Sequence, residues 1–360
     1  MANDVLRVGY ALKGIKAACG AGNMDALLLS ARYDIEYIAG LYVSGSMLLC
    51  PRRGRPVFFV DSMNFSLASS KLKGKGISVC KGPVAENLAA YSGDNGLKRI
   101  AFDEESLSVA RFKYIEKQLR GVFLSGSISG RSAASVLMDI RMIKSRDEVR
   151  IIRKAARETV RIWEYARAKV RKGMKESDIA FLIDKRTRDL GYESSFRTIV
   201  AIGPNSAHPH AIPGTATFAE GKLLLADFGI LYNGYCSDLT RTFYKGRING
   251  KIKGLLRAVH EAHDMAISSI RPGVKISSVV EGVSGIFSGY KYKKYALHGL
   301  GHGIGIEVHE RPYLGSQSND VFMEGMVVTV EPGLYCPGLA GVREEDMVLV
   351  TSKGCEVLTV

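Results

Sequence analysis

No apolar run in this chain reaches the roughly 20 residues that span a bilayer, and the opening stretch MANDVLRVGYALKGIKAACG has no apolar core of signal-peptide type. No membrane association is expected. Cysteine is scarce and scattered: Cys19, Cys50, Cys80, Cys236, Cys336 and Cys355 form no CxxC pair. That argues against a zinc–thiolate cluster or a disulfide framework, and for free thiols in a reducing cytoplasm. No low-complexity tract interrupts the sequence. The glycine-rich run contains neither GxGxxG nor GxxxxGK[ST] and is therefore no nucleotide loop. VHEAHD, residues 259–264, comes near a zinc-protease HExxH, but its histidines are three apart and not four. His260 and His263 are expected on a helix surface.

With 360 residues, 46% of them hydrophobic and 24% charged, the chain has the composition of a globular protein and room for two domains. Its net charge of +14 is concentrated in residues 141–175, where Val149, Ile152, Ala156, Val160 and Trp163 recur at spacings of three and four. That spacing gives one apolar helical stripe and leaves the basic residues on solvated faces. No nucleic-acid motif accompanies the charge, so a solvated helix face is expected and no nucleic-acid partner.

Strand-like runs at residues 25–30, 56–61 and 99–103 alternate with helical patterns, one of which, SLSVARFKYIEKQLRG, stops at Gly121. This reads as an α/β domain over residues 1–130. The Ser/Gly-rich stretch 124–135 is the candidate linker. After the basic helix, a second helix is expected from Ser177, as N-cap, to Leu190. The second half carries two hairpin-like segments, one turning at Asn233-Gly234 and one, longer-looped, running from Met326 to Thr351. Both present acidic residues among β-branched and aromatic ones, a pattern that hints at an internal duplication.

HGLGHGIGIEVHE, residues 298–310, holds three of the chain's seven histidines, His298, His302 and His309, and four glycines. Glycine at every second position is too costly for a helix interior and suits extended backbone that must approach something closely, expected to be a metal, a substrate or both. In the first hairpin, a turn at Asn233-Gly234 sets Asp227 opposite Thr240 and makes Asp238 its diagonal neighbour on the same face. The second segment supplies Glu331 and, in VREED, Arg343 and Glu345 sharing a face, with Glu344 turned away. Carboxylates on an otherwise apolar face are costly unless something positive lies between them. Four carboxylates with one imidazole favour a two-metal site and fit poorly with thiolate zinc chemistry.

These residues lie in NSAHPHAIPG, LLADFG with YCSDLTRTF, HGLGHGIGIEVHE, VVTVEPGLY and GVREEDMVLVT. In this order the five motifs resemble those of the pita-bread metallopeptidases, most closely the branch of Xaa-Pro aminopeptidases and Xaa-Pro dipeptidases (prolidases). The resemblance covers residues 137–360 and extends less specifically to the N-terminal domain. It implies a creatinase/prolidase-type α/β N-terminal domain before an α+β pita-bread catalytic domain, and a homodimer acting on proline-containing peptides. It implies metal ligands at Asp227, Asp238, His302, Glu331 and Glu345, with Asp238 and Glu345 bridging two ions. Asp227 would serve one ion, His302 and Glu331 the other. His210 matches a histidine near the substrate carbonyl, His298 and His309 match histidines lining the pocket, and Arg343 matches an arginine beside the metals.

The implied reaction is attack on an Xaa-Pro carbonyl by a hydroxide bridging two divalent ions, Mn²⁺ or Co²⁺ first, Zn²⁺ or Fe²⁺ next. Glu331 is the candidate general base, and His210 or His309 the donor to the oxyanion. Glu344 stands where the family usually has an apolar residue, and His208 is read as a loop residue. Methionine aminopeptidase of the same fold ranks lower, for want of a large N-terminal domain in that branch. A non-catalytic binding protein or a metal-free hydrolase of creatinase type would be expected to have lost the ligands that this chain retains.

Overall fold

A computed structural model describes residues 2–360, with side chains from residue 9 onward. The chain divides into two compact units, Met1–Arg141 and Met142–Val360. No helix of the described residues is long and apolar enough to cross a membrane.

The three strands expected in the first unit form at Ala26–Leu29, Val57–Val60 and Arg99–Phe102. Met47–Pro51, Ser78–Lys81 and Phe123–Ser125 complete a mixed six-stranded sheet with Ala26–Leu29 and Arg99–Phe102 side by side and parallel. The opening stretch is a helix, Ala2–Ala21, which buries Ala11, Ile15 and Cys19 at spacings of four. The stretch 124–135 is not a free linker. It continues the edge strand into a two-residue hairpin whose turn residues, Ser129 and Gly130, both have positive φ, and a helix begins at Ala134. Serine and glycine there serve a tight turn, and the unit extends to Arg141, which pairs with Asp34 at 2.9 Å in its interior.

In the second unit the basic segment folds as the helix Arg146–Lys169, opened by a reciprocal cap between Ser145 and Glu148. Its buried stripe runs through Ile152, Ala155, Ala156, Thr159, Ile162, Trp163 and Ala166, while Val149 and Val160 lie at the margin. Much of the exposed charge is paired along the helix, as in Lys154 and Arg161 on Glu158. The next helix is Glu176–Asp189. Its N-cap is Lys175, whose backbone N–H donates to Asp178; Ser177 is already inside.

A hundred residues further on the plan recurs. The helices Gly250–Ser269 and Ile276–Gly289 form a second pair, Gly173 and Gly273 both turn with positive φ, and Lys175 and Lys275 each make one isolated bridge to a strand. Each helical pair buries its apolar side on its own antiparallel strands. The first lies on Ile199–Ile202, Leu223–Phe228 and Leu239–Tyr244; the second on a five-stranded sheet that includes Gly301–Gly303, Val327–Val330 and Asp346–Val350. The duplicated arrangement hinted at by the two hairpins is thus real at the level of whole helix-pair-and-sheet layers. Glu345 N–H donates to Thr240 C=O at 3.1 Å, and Thr242 exchanges hydrogen bonds with the Arg343 backbone, so the acidic strand ends of the two sheets meet.

Candidate active site

Asn233 and Gly234 adopt the positive φ of a tight hairpin turn, and the register sets Asp227 opposite Thr240, as the spacing predicts. In the second sheet Val330 pairs with Asp346, which leaves Glu331 and Glu345 facing each other one step beyond the paired strands. His302 reaches the same place from Gly301–Gly303, which pairs on one side with Glu310–Leu314 across a β-bulge at His302/Gly303 and on the other with Val327–Val330.

Gly301 and Gly303 of this run closely approach neighbouring backbone. A Cβ on Gly301 would lie 2.1 Å from the Thr329 carbonyl oxygen, and one on Gly303 2.2 Å from that of Arg311. Gly303→Ala must therefore move the bulge that aims His302. It is expected to cut turnover by about 10²-fold and to lower bound metal, read by kcat/KM and elemental analysis; unchanged turnover would contradict it.

Asp227, Asp238, His302, Glu331, Glu345, Arg343, His210, His298 and His309 all line one cavity of about 710 Å³. Asp238, His302 and Glu345 each offer a donor atom within 4.8 Å of the others. Asp227 and Glu331 flank that trio, one held by Arg343 at 2.5 Å and the other lying 3.3 Å from His302 Nε2. Burial, and then the neighbouring carboxylates Glu345 and Asp227, push the Asp238 carboxyl well above its ordinary range. Burial and the charges of Glu331 and Asp227 do the same to Glu345. Asp227 is raised by burial against the opposing pull of Arg343. Burial would also raise Glu331, but its hydrogen bond to His302 prevails and lowers it.

The donor set fits divalent cations. Oδ1 of Asp227 and Oδ1 of Asp238 are buried without a hydrogen-bond partner. His302 Nδ1 lies 3.1 Å from the Gly303 carbonyl, which only accepts, so Nδ1 carries a proton and Nε2 is the ring atom turned toward Glu331 and, 3.9 Å away, Asp238. Buried carboxylates crowded around one imidazole nitrogen are costly without positive charge among them, and hard oxygens with one imidazole suit a divalent ion.

The histidines differ in what they can offer. His298 Nδ1 donates to the Gly299 carbonyl at 2.8 Å, so Nε2 accepts from the Tyr335 hydroxyl at 2.7 Å, and no donor is left for the cavity. Burial first, then Arg343, favours its neutral form. His309 and His210 are exposed and make no hydrogen bond with a described residue. His309 stands edge-on to His302 with centroids 4.3 Å apart, and partial burial of its ring together with that neighbour lowers its pKa. His208 does not line the cavity.

Three further residues hold the site, none of them assigned a role by the sequence: Thr240 and Tyr335, which lie within YCSDLTRTF and VVTVEPGLY, and Glu176, which lies outside the five motifs. Thr240 donates to Glu345 at 2.6 Å and accepts from Arg343 Nε at 2.9 Å. Its place opposite Asp227 in the hairpin was the available signal. Tyr335 accepts from Arg343 at 2.7 Å while donating to His298; its phenol is pushed up to about 12, chiefly by burial, and stays protonated. Glu176, fully buried, accepts from the backbone N–H groups of Ile202 and Gly214 and from Asn205, clamping the loop that carries His210 at both ends. Tyr335 closes the motif VVTVEPGLY, which was its available signal; for Glu176 no local pattern distinguishes it from a helix-surface residue.

Residues 150–352 match metallopeptidase family M24, and residues 12–143 match the creatinase/prolidase N-terminal domain. The chain belongs to metallopeptidase family M24. It is 32% identical over 356 residues to an uncharacterized peptidase of Staphylococcus epidermidis, covering 97% of this chain and 98% of that one. Among solved structures it is similar to an Xaa-Pro dipeptidase from Bacillus anthracis, at 30% identity and TM-score 0.90 over 98% of this chain and 97% of that one. It is also similar to an X-Pro aminopeptidase from Thermotoga maritima, at 29% identity and TM-score 0.85 over 96% and 97%. These matches bear out the pita-bread fold with its creatinase/prolidase N-terminal domain. The protein is a metallopeptidase that works with divalent metal ions.

Proposed function

We propose that this metallopeptidase uses two divalent ions to hydrolyse the peptide bond before proline, either in Xaa-Pro dipeptides or at the N-terminus of longer peptides. The observation that carries this reading is the convergence of Asp238, His302 and Glu345 within 4.8 Å in a cavity flanked by Asp227 and Glu331. The similarity to both an Xaa-Pro dipeptidase and an X-Pro aminopeptidase supports the proline preference and leaves both peptide lengths in play. Asp238, Glu345 and His302, with Asp227 and Glu331 beside them, would hold the ions. When bound, such ions polarise a carbonyl oxygen and acidify water.

The chain's own groups do the rest. Glu331, whose carboxyl stays low and ionised beside His302, takes the proton of the attacking water. His210 and His309, the two cavity histidines with uncommitted ring nitrogens, donate to the developing oxyanion. Arg343 fixes Asp227 by a charge-assisted hydrogen bond and Tyr335 by another. Mn²⁺ or Co²⁺ is the first choice of metal, with Zn²⁺ or Fe²⁺ next. A homodimer, testable by light scattering, and a cytoplasmic site of action, in keeping with six free thiols, belong to the same reading.

The test is cleavage of Ala-Pro, Ala-Pro-Ala and Met-Ala-Ala, followed by mass spectrometry with Mn²⁺ or Co²⁺ and with chelator. Metal-dependent cleavage of Ala-Pro alone marks a dipeptidase, and release of alanine from Ala-Pro-Ala an aminopeptidase. Release of methionine alone would replace the proline reading with methionine aminopeptidase.

A further inference from the structure

The charged side chains lining the cavity include two arginines. Arg343 is buried and committed to Asp227 and Tyr335. Arg197 is exposed and makes no hydrogen bond, ion pair or ring contact with any described residue. Its direction follows from the strand it precedes. Ile199 pairs with Asp227 and shares its sheet face. Thr198 points the other way, its hydroxyl donating to Asp184 on the helix Glu176–Asp189 at 2.5 Å. Arg197 therefore returns to the face of Asp227, about 6.5 Å along the chain from Ile199. The same cavity is also lined by Phe196, Ile212, Leu297 and Tyr313. The cavity thus holds four carboxylates and, among its other lining residues, one guanidinium with no partner among the described residues.

Resting on the reading of the site as an Xaa-Pro hydrolase, we infer that Arg197 is a specificity-determining residue that binds a carboxylate of the substrate. A guanidinium offers paired N–H donors that match a carboxylate in two parallel hydrogen bonds, and an uncommitted one surrendering no internal ion pair is well suited to that task. Two substrate carboxylates lie within reach of the scissile bond: the C-terminus of a dipeptide, about one residue step of 3.3–3.6 Å beyond it, and the side chain of an acidic residue before proline.

The experiment compares two matched pairs on the metal-loaded enzyme: Ala-Pro against Ala-Pro-amide, and Glu-Pro-amide against Gln-Pro-amide. For at least one pair, kcat/KM should favour the carboxylate member by about tenfold or more, the scale of a hydrogen-bonded charge. Arg197→Met should bring that ratio close to one, and Arg197→Lys should restore part of it. Because both members are measured on the same preparation, the ratio is insensitive to how much of a variant is folded. A collapse in the first pair identifies the C-terminal carboxylate, and a collapse in the second the acidic side chain. Ratios that Arg197→Met leaves unchanged in both pairs would overturn the inference while leaving the proline reading intact. No turnover of any of the four by the unmodified enzyme would also overturn this inference, and, if Ala-Pro-Ala too stays uncleaved, the proline reading with it.

Discussion

Asp238→Asn is expected to cut peptide hydrolysis by about 10²–10³-fold, the scale of losing one pre-placed electrostatic group, and yet to make the metal-free protein more stable. Asp238 is buried, its Oδ1 has no hydrogen-bond partner, and its carboxyl is pushed up by burial and by Glu345, Asp227 and Glu331. Metal removal therefore leaves like charges facing each other out of water. An amide of the same shape removes one of them, a gain on the order of 1 kcal/mol, or a few degrees in Tm. Excess Mn²⁺ should reverse the order, because a ligand that binds only the folded state stabilises it in proportion to its affinity, and the variant has lost a ligand.

The pH dependence has a definite sign. For Asp238 and Glu345 the folded pKa lies above the unfolded one, so the folded chain holds protons that the unfolded chain releases. Their stabilising contribution is greatest below the unfolded carboxylate range and is lost as pH rises through the raised folded values. Chelated wild-type protein should accordingly melt higher near pH 5 than near pH 8, with a flatter profile for Asp238→Asn. Thermal melts in chelator at both pH values decide the matter. A chelated variant that melts below wild type at pH 8 would show that Asp238 is no liability in the empty site.

How much of this could be read from the residues depends on how local each cause is. The Asp227–Asp238 geometry needed only a two-residue turn and the alternation of a strand, both written in LYNGYCSD, and the register agrees with it. The strands at residues 26–29, 57–60 and 99–102 were legible as β-branched and leucine-rich runs between turn residues. Where the cause is tertiary, the sequence says less. The glycines at 301 and 303 announce close approach, but only the fold shows that Thr329 and Arg311 are what they approach. Lys175 as N-cap has no signature of its own, because it is Asp178 that satisfies the backbone, and the serine beside it looked the better candidate. The Ser/Gly stretch before Ala134 has the same composition whether it is a linker or a hairpin turn. Arg197 carries no motif; its standing comes from the absence of a partner, which no sequence displays.

Lys144→Met should cost about 3–5 kcal/mol of stability, the range for breaking a buried ion pair by removing one partner. Lys144 Nζ lies 2.8 Å from Glu310 Oε1, with the lysine side chain 1% and the glutamate 6% exposed. The glutamate has nowhere to go: a Cβ on Gly305 would already fall 2.4 Å from the same oxygen, so the carboxylate is wedged against the glycine run. The pair also bears on the chemistry. Glu310 opens the strand that pairs with His302 and Gly303, and it directly follows His309. Loss of that ammonium would weaken the hold on Glu310 and on the start of this strand, and His309 would move with it. Urea unfolding of Lys144→Met and of the double variant Lys144→Met/Glu310→Leu separates the two contributions. The double variant should recover much of the loss, since apolar groups of similar volume carry no desolvation cost. A single variant within 1 kcal/mol of wild type would mean that the interior around Glu310 tolerates its charge without Lys144.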